Sequence, residues 1–147
     1  ICASEDVGNA DPNALTVAVS AAQAVERIGM PEAQIILSQA AAYVASAPKS
    51  NASCNAIFEA NDVVRNTGSL PIPSHLQDAH YKGAAKLGRG TGYKYAHDYP
   101  GHYVAQQYAP LEAQGMTYYV PSQQGFENEI RKIRMDRGFM DAPDPCR

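Results

Sequence analysis

What this chain lacks sets the first limits on what it does. It has three cysteines in 147 residues, Cys2, Cys54 and Cys146, far apart and without a C-x-x-C pair. Neither a disulfide framework nor a zinc site is indicated, and a reducing cytoplasm fits best. No apolar run approaches the length that spans a bilayer and no signal peptide is recognisable, so no membrane partner is expected. Catalytic signatures are missing too: there is no G-x-S-x-G elbow and no H-E-x-x-H. His75, His80, His97 and His102 fall in pairs five apart, which matches no ligand spacing on one helical face. The segment GAAKLGRGTG has the glycine separation of a P-loop in Gly83 and Gly88. However, Arg89 stands where the phosphate-binding lysine belongs, and Gly90 replaces the hydroxyl that would hold magnesium. No catalytic residue, metal ligand or cofactor is expected within this chain. It begins at Ile1 rather than methionine, on a stretch that reads like the end of a helix, so a fragment of something longer is expected.

What is present is helix. Asp11 precedes Pro12, an acceptor where the first free amides of a helix need one and a proline where a missing N–H does no harm. From there Leu15, Ala18, Ala22 and Val25 share one face, with Thr16, Ser20, Gln23 and Arg27 opposite, until Gly29 ends the pattern. Pro31 and Glu32 open a second helix with Ala33, Ile36, Ala40, Val44 and Ala47 in one stripe, stopped by Pro48. A third begins near Ser50, sets Ala56, Ala60 and Val63 against Asn55, Glu59, Asp62 and Asn66, and closes at Gly68. So much alanine lets helix axes approach closely. The apolar set is also too extensive for one face of a lone domain, which marks Leu15, Ala18, Ala22, Val25, Ile36, Ala40 and Val44 as candidate oligomer-interface residues.

After Gly68 the helical period breaks down, as prolines 71, 73, 100, 110 and 121 alternate with six glycines. Eight of the nine tyrosines lie between Tyr81 and Tyr119, which argues for order, because disordered segments are poor in aromatics. An ordered, loop-rich layer is expected, clasped over the helices by its tyrosines, with short helices near Ser74 to Ala79 and Gly83 to Leu87. A last helix is expected from about Gln123 to Arg137, capped by Ser122, with Phe126, Ile130 and Ile133 inward. The expected fold class is therefore all-α: a helical subdomain over 1–67, a loop-rich and tyrosine-rich segment with a final helix over 68–137, and a flexible tail over 138–147.

Charge is uneven. The net charge of −3 argues against a strongly basic binder, yet residues 1–64 hold seven acids and two bases, whereas residues 80–103 hold Lys82, Lys86, Arg89 and Lys94 against Asp98 alone. Cations interleaved with rings can follow phosphates and stack unpaired bases, so Lys82, Lys86, Arg89 and Lys94 are candidate nucleic-acid contacts. The alternative is that the tyrosines pin a long loop and the lysines are merely solvated.

Several strings are specific enough to identify a family. ASEDVGNADP, QAVERIGMPEA, YVASAPKSN, PIPSHLQDAHYKGAAKLGRGTGYKYAHD, VAQQYAP and YYVP followed by GFENEI, in that order, resemble the C-terminal region of the bacterial RarA/MgsA replication-associated recombination proteins. These are AAA+ ATPases related to clamp loaders and to the Werner-helicase-interacting ATPase. The resemblance implies an almost entirely helical domain similar to the clamp-loader collar, which assembles the parent into a homotetramer. It also implies an upstream ATPase module that carries ATP and magnesium. It further implies action at stalled forks in DNA replication, recombination and repair, with DNA ends, single-strand/duplex junctions and single-stranded-DNA-binding protein as partners of the full-length protein in the cytoplasm, near the nucleoid. It transfers no catalytic residue, and residues 134–147 depart from its pattern.

Overall fold

A computed structural model describes residues 1–139. The expected frayed tail APDPCR and Cys146 lie outside the described residues. Among the described residues the fold is all-α: four helices, a helical turn over Ala3–Val7, short 3-10 turns, and no strand. The described residues divide into two compact units, one formed by Ile1–Val63 together with residues 117–139, the other by Val64–Met116.

In the first unit α1 (Asn13–Ile28) and α2 (Ala33–Ser46) are joined through Gly29, at φ 74, and the cis Met30–Pro31 bond. So short a connection makes them neighbours in a helical hairpin. Asp11 supports the start of α1 as expected: its Oδ1 accepts the Asn13 amide at 3.1 Å. Its other oxygen accepts the Tyr43 hydroxyl at 2.8 Å, tying the start of α1 to the last turns of α2. Lys49 folds back on the end of α2 and donates to the carbonyls of Val44, Ala45 and Ala47, a cation placed at the negative end of the helix. The core joins Ala3, Val7 and Ala14, with Ala18, Tyr43, Val44 and Ala47 packed against them. On α1 the inward stripe is Ala14, Val17, Ala18, Ala21 and Val25, whereas Leu15 and Ala22 face outward, a rotation from the expected face. Alanine decides it, because the smaller side chains allow the closer approach to α2. On α2 the expected stripe from Ala33 to Ala47 is the inward one. α3 (Ala52–Thr67) half-buries Ala56, Ala60 and Val63 as expected, but buries no residue fully.

The last helix, α4, runs Glu127–Asp136 and begins four residues later than its period indicates. Of the residues expected inward, Ile130 is half-buried while Phe126 and Ile133 are 49% and 47% exposed, and the interior position belongs to Glu127, at 0%. Ser122 does not cap α4. Its hydroxyl accepts the Gln124 amide at 3.1 Å in a local turn, while its own N–H donates to the Glu127 carboxylate at 2.7 Å. The same carboxylate accepts the Ser50 hydroxyl at 2.6 Å and the Tyr119 hydroxyl at 2.8 Å. α4 thereby packs in the helical unit rather than with the loop-rich segment.

In the second unit single 3-10 turns, Ser74–Leu76 and Ala85–Leu87, stand where the two short helices were expected, and further such turns occur at Ala96–Asp98, Pro100–His102 and Leu111–Ala113. Ala84 and Val104 are its buried apolar residues. It is closed by long-range bonds, the Gly90 amide to the Ser74 carbonyl at 2.9 Å and His75 Nε2 to the Gln107 carbonyl at 2.7 Å. Gly90 is required there, since a Cβ would stand 2.5 Å from that of Ala79.

Candidate functional site

Two surfaces carry chemistry, one in each unit. The first is apolar. Among the described residues every buried apolar residue except Pro121 is alanine or valine, while many of the larger apolar side chains stay outside. Leu15 and Val19 on α1 are 49% and 48% exposed, Ile35 on α2 is 75% exposed, and Ile57 and Phe58 on α3 are 53% and 61% exposed. A small-residue interior under a large-residue exterior inverts the usual order of a self-sufficient domain. Of the candidate interface residues, Leu15 and Ala22 lie on this outer surface. Ala18, Val25, Ile36, Ala40 and Val44 are half-buried inside the protomer, where α1 meets α2. Sequence reasoning passed over Val19, Ile35, Ile57 and Phe58. The available signal was a second stripe of large residues on the side of each helix away from its alanines.

The second surface lies within Val64–Met116. Lys82, Lys86 and Lys94 are exposed, and Arg89 is half-buried with its guanidinium 5.5 Å from the centroid of the Tyr81 ring. Tyr93, Tyr95 and Tyr99 are 49%, 54% and 37% exposed, so these rings keep much of their surface in water. Lys94 is held by Gln106, whose side-chain amide accepts its N–H at 3.1 Å and donates to its carbonyl at 2.9 Å. All four candidate nucleic-acid residues fall in this one unit.

Four amides of the glycine turn between them are engaged by backbone carbonyls. The amides of Lys86, Leu87, Arg89 and Gly90 donate to the carbonyls of Gly83, Ala84, Ala84 and Ser74, which leaves them occupied within the turn. Among the described residues no group of three or more His, Cys, Asp or Glu is placed to hold a metal ion, and no helix is long and apolar enough to cross a membrane. Glu127, the buried carboxylate, is shared among protein donors. Burial pushes its pKa up, but hydrogen bonds from Ser50, Ser122 and Tyr119 favour the ionised form more strongly and hold the net value below the ordinary one. Burial pushes the Tyr119 hydroxyl up to about 12, against the hydrogen bond from Asn9 and with help from the neighbouring carboxylate.

The family model described as "MgsA AAA+ ATPase C terminal" matches residues 1–137. The chain belongs to that family. Relatives of this MgsA C-terminal domain include an uncharacterized AAA domain-containing protein of Mycobacterium tuberculosis, 53% identical over 93% of this chain and 30% of that protein. The replication-associated recombination protein A of Bacillus subtilis is 43% identical over 90% of this chain and 32% of its own length. ATPase WRNIP1 of Dictyostelium discoideum is 38% identical over 74% of this chain and 12% of its own. The MgsA C-terminal chain thus spans about a third or less of the curated relatives it matches.

Proposed function

We propose that this domain is the assembly module of an AAA+ ATPase that acts in replication-associated recombination and repair at stalled forks. In this reading the domain resembles the collar of clamp loaders and gathers copies of the parent into a homotetramer, while ATP and magnesium are bound by an ATPase module outside this chain. The parent hydrolyses ATP, works in the cytoplasm near the nucleoid, and engages DNA ends, single-strand/duplex junctions and single-stranded-DNA-binding protein. The observation that carries the assembly role is the inverted distribution of apolar residues, with Phe58, Ile57, Ile35, Leu15 and Val19 outside an alanine interior. Large apolar side chains grouped on helices and left in water mark a face that a partner covers. In a homo-oligomer that partner is another copy of the same surface or its complement. Sedimentation velocity on the isolated chain tests this. A concentration-dependent shift toward dimer or tetramer in the micromolar range is expected, and a strictly monomeric chain at high micromolar concentration overturns it.

A second reading has its own observation. Exposed Lys82, Lys86 and Lys94 stand in one unit with exposed tyrosine rings, the combination that follows a phosphate backbone while offering flat faces to bases. This supports a role for residues 80–103 in contacting nucleic acid, with an affinity that falls steeply with salt. The two roles are compatible, because the apolar and basic surfaces belong to different units.

A further inference from the structure

Within the basic segment, residues 95–102 carry three rings in file. The Tyr95 and His97 centroids are 5.0 Å apart with planes at 49°, and those of His97 and His102 are 4.9 Å apart at 52°. All three side chains are exposed. Tilted rings at this spacing contact one another while keeping aromatic surface open to water. The backbone beneath is unusual. His102, at φ 53, is the one non-glycine residue with positive φ among the described residues, and it follows Gly101 at φ 67. A left-handed histidine is retained only where its surroundings over-determine it, and such residues gather at ligand sites. The segment is also anchored at its start. Gln106 clamps both backbone groups of Lys94 and donates to the Tyr108 hydroxyl at 2.9 Å, so the residue that opens the ring series is fixed while its ammonium group remains in solvent.

We infer that the Tyr95, His97 and His102 rings form a stacking site for an unpaired nucleobase whose phosphate is met by Lys94, an inference that rests on the nucleic-acid reading above. A base inside a duplex has both faces covered by its neighbours, whereas an unpaired base offers a flat face that an imidazole or phenol ring can cover. The imidazole N–H groups add donors for the base edge. Charge alone, at Lys82, Lys86 and Arg89, does not distinguish a base-bearing strand from a bare sugar-phosphate chain; a ring site does. The same chemistry is offered by a strand and by a free nucleotide.

Fluorescence anisotropy with a labelled twenty-nucleotide thymidine strand, and with an abasic strand of the same length and charge, separates these terms. The base-bearing strand is expected to bind about 10-fold tighter. His97→Ala and His102→Gly are each expected to remove most of that preference while leaving the abasic affinity unchanged. His102→Gly also relieves the left-handed backbone, so its fold, checked by circular dichroism, is expected to survive. Equal affinity of the wild-type chain for both strands, with the salt dependence intact, overturns the stacking site and leaves the nucleic-acid reading standing. No binding of either strand at low salt overturns both. Competition by free thymidine monophosphate at the strand's own concentration supports the site and assigns its occupant as a nucleotide.

Discussion

The hydroxyl of Ser50 donates to the carboxylate of Glu127 at 2.6 Å across a separation of 77 residues, and the acceptor is fully buried. This bond joins the α2–α3 connection to the first turn of α4. With the Tyr119 hydroxyl and the Ser122 amide on the same carboxylate, it makes Glu127 the polar centre of the helical unit. Glu127→Ala strands three donors in a buried site and is expected to destabilise the chain by about 3 kcal/mol, with Ser50→Ala nearer 1 kcal/mol. Urea denaturation followed by circular dichroism measures both. Equal, small losses would show that water replaces the carboxylate.

Stability should fall at both ends of the pH scale. The folded pKa of Glu127 lies below its ordinary value of 4.5, so its contribution is present above that value and is lost as pH falls through the folded pKa. Tyr119 is raised from 10.0 to about 12, so the preference for its neutral form is present below pH 10 and is lost as pH climbs from there toward 12. Unfolding free energies measured between pH 3 and 11 should show both limbs, and Glu127→Gln should flatten the acid one. An unchanged acid limb in that variant would assign the acid sensitivity elsewhere.

Gly125 packs where no side chain fits. A Cβ there would stand 2.1 Å from the Ala10 carbonyl oxygen and 2.7 Å from Pro48 Cγ, at φ +49. Gly125→Ala is expected to cost on the order of 3 kcal/mol through overpacking and backbone strain. At Gly29, where nothing lies within 4 Å but φ 74 and ψ 177 fall in a region that glycine alone adopts readily, alanine meets backbone strain without overpacking, about 2 kcal/mol. Paired thermal melts give the comparison, and equal shifts would refute close packing at Gly125.

Phe58 and Ile57 are the exposed apolar residues of α3 to charge first. If this surface holds copies together, Phe58→Asp is expected to weaken self-association about 30-fold, the scale of an interface hot spot. The helical content should be retained, since neither side chain is buried in the protomer. Sedimentation velocity across a dilution series reads the change, and an unaltered association curve would move the interface off α3.

Lys82, Lys86 and Lys94 test the basic surface by its salt dependence. Changing all three to alanine removes three phosphate contacts and should reduce the slope of log K against log salt for a single strand by about 2. An unchanged slope would show that these ammonium groups do not meet phosphate.

Much of the helical unit was legible in the chain itself. Asp11 at a helix start, Gly29 and Pro48 at helix ends, and the Ala33 to Ala47 and Ala56 to Val63 stripes all stand as local patterns, because capping and the 3.6-residue period are short-range properties. α4 was legible as a helix, and Ile130 as one of its inner residues, but its first residue and the buried Glu127 were not. Glu127 looks like one more charge on an exposed turn until Ser50, Tyr119 and Ser122 supply its donors. The tilted ring series at Tyr95, His97 and His102 could not be foreseen either, since the approach of His102 to His97 goes with the positive-φ backbone at Gly101 and His102.

By itself the sequence determined that this is a helical member of its family and where its three leading helices start and stop. Those properties follow from neighbours along the chain. The tertiary structure decided that alanines fill the interior while Leu15, Val19, Ile35, Ile57 and Phe58 stay outside, that a carboxylate fills an interior position, and that Tyr93, Tyr95 and Tyr99 of the second unit keep surface in water. Each of these depends on which distant segment comes to lie against a residue, and burial is settled by that neighbour's shape and donors.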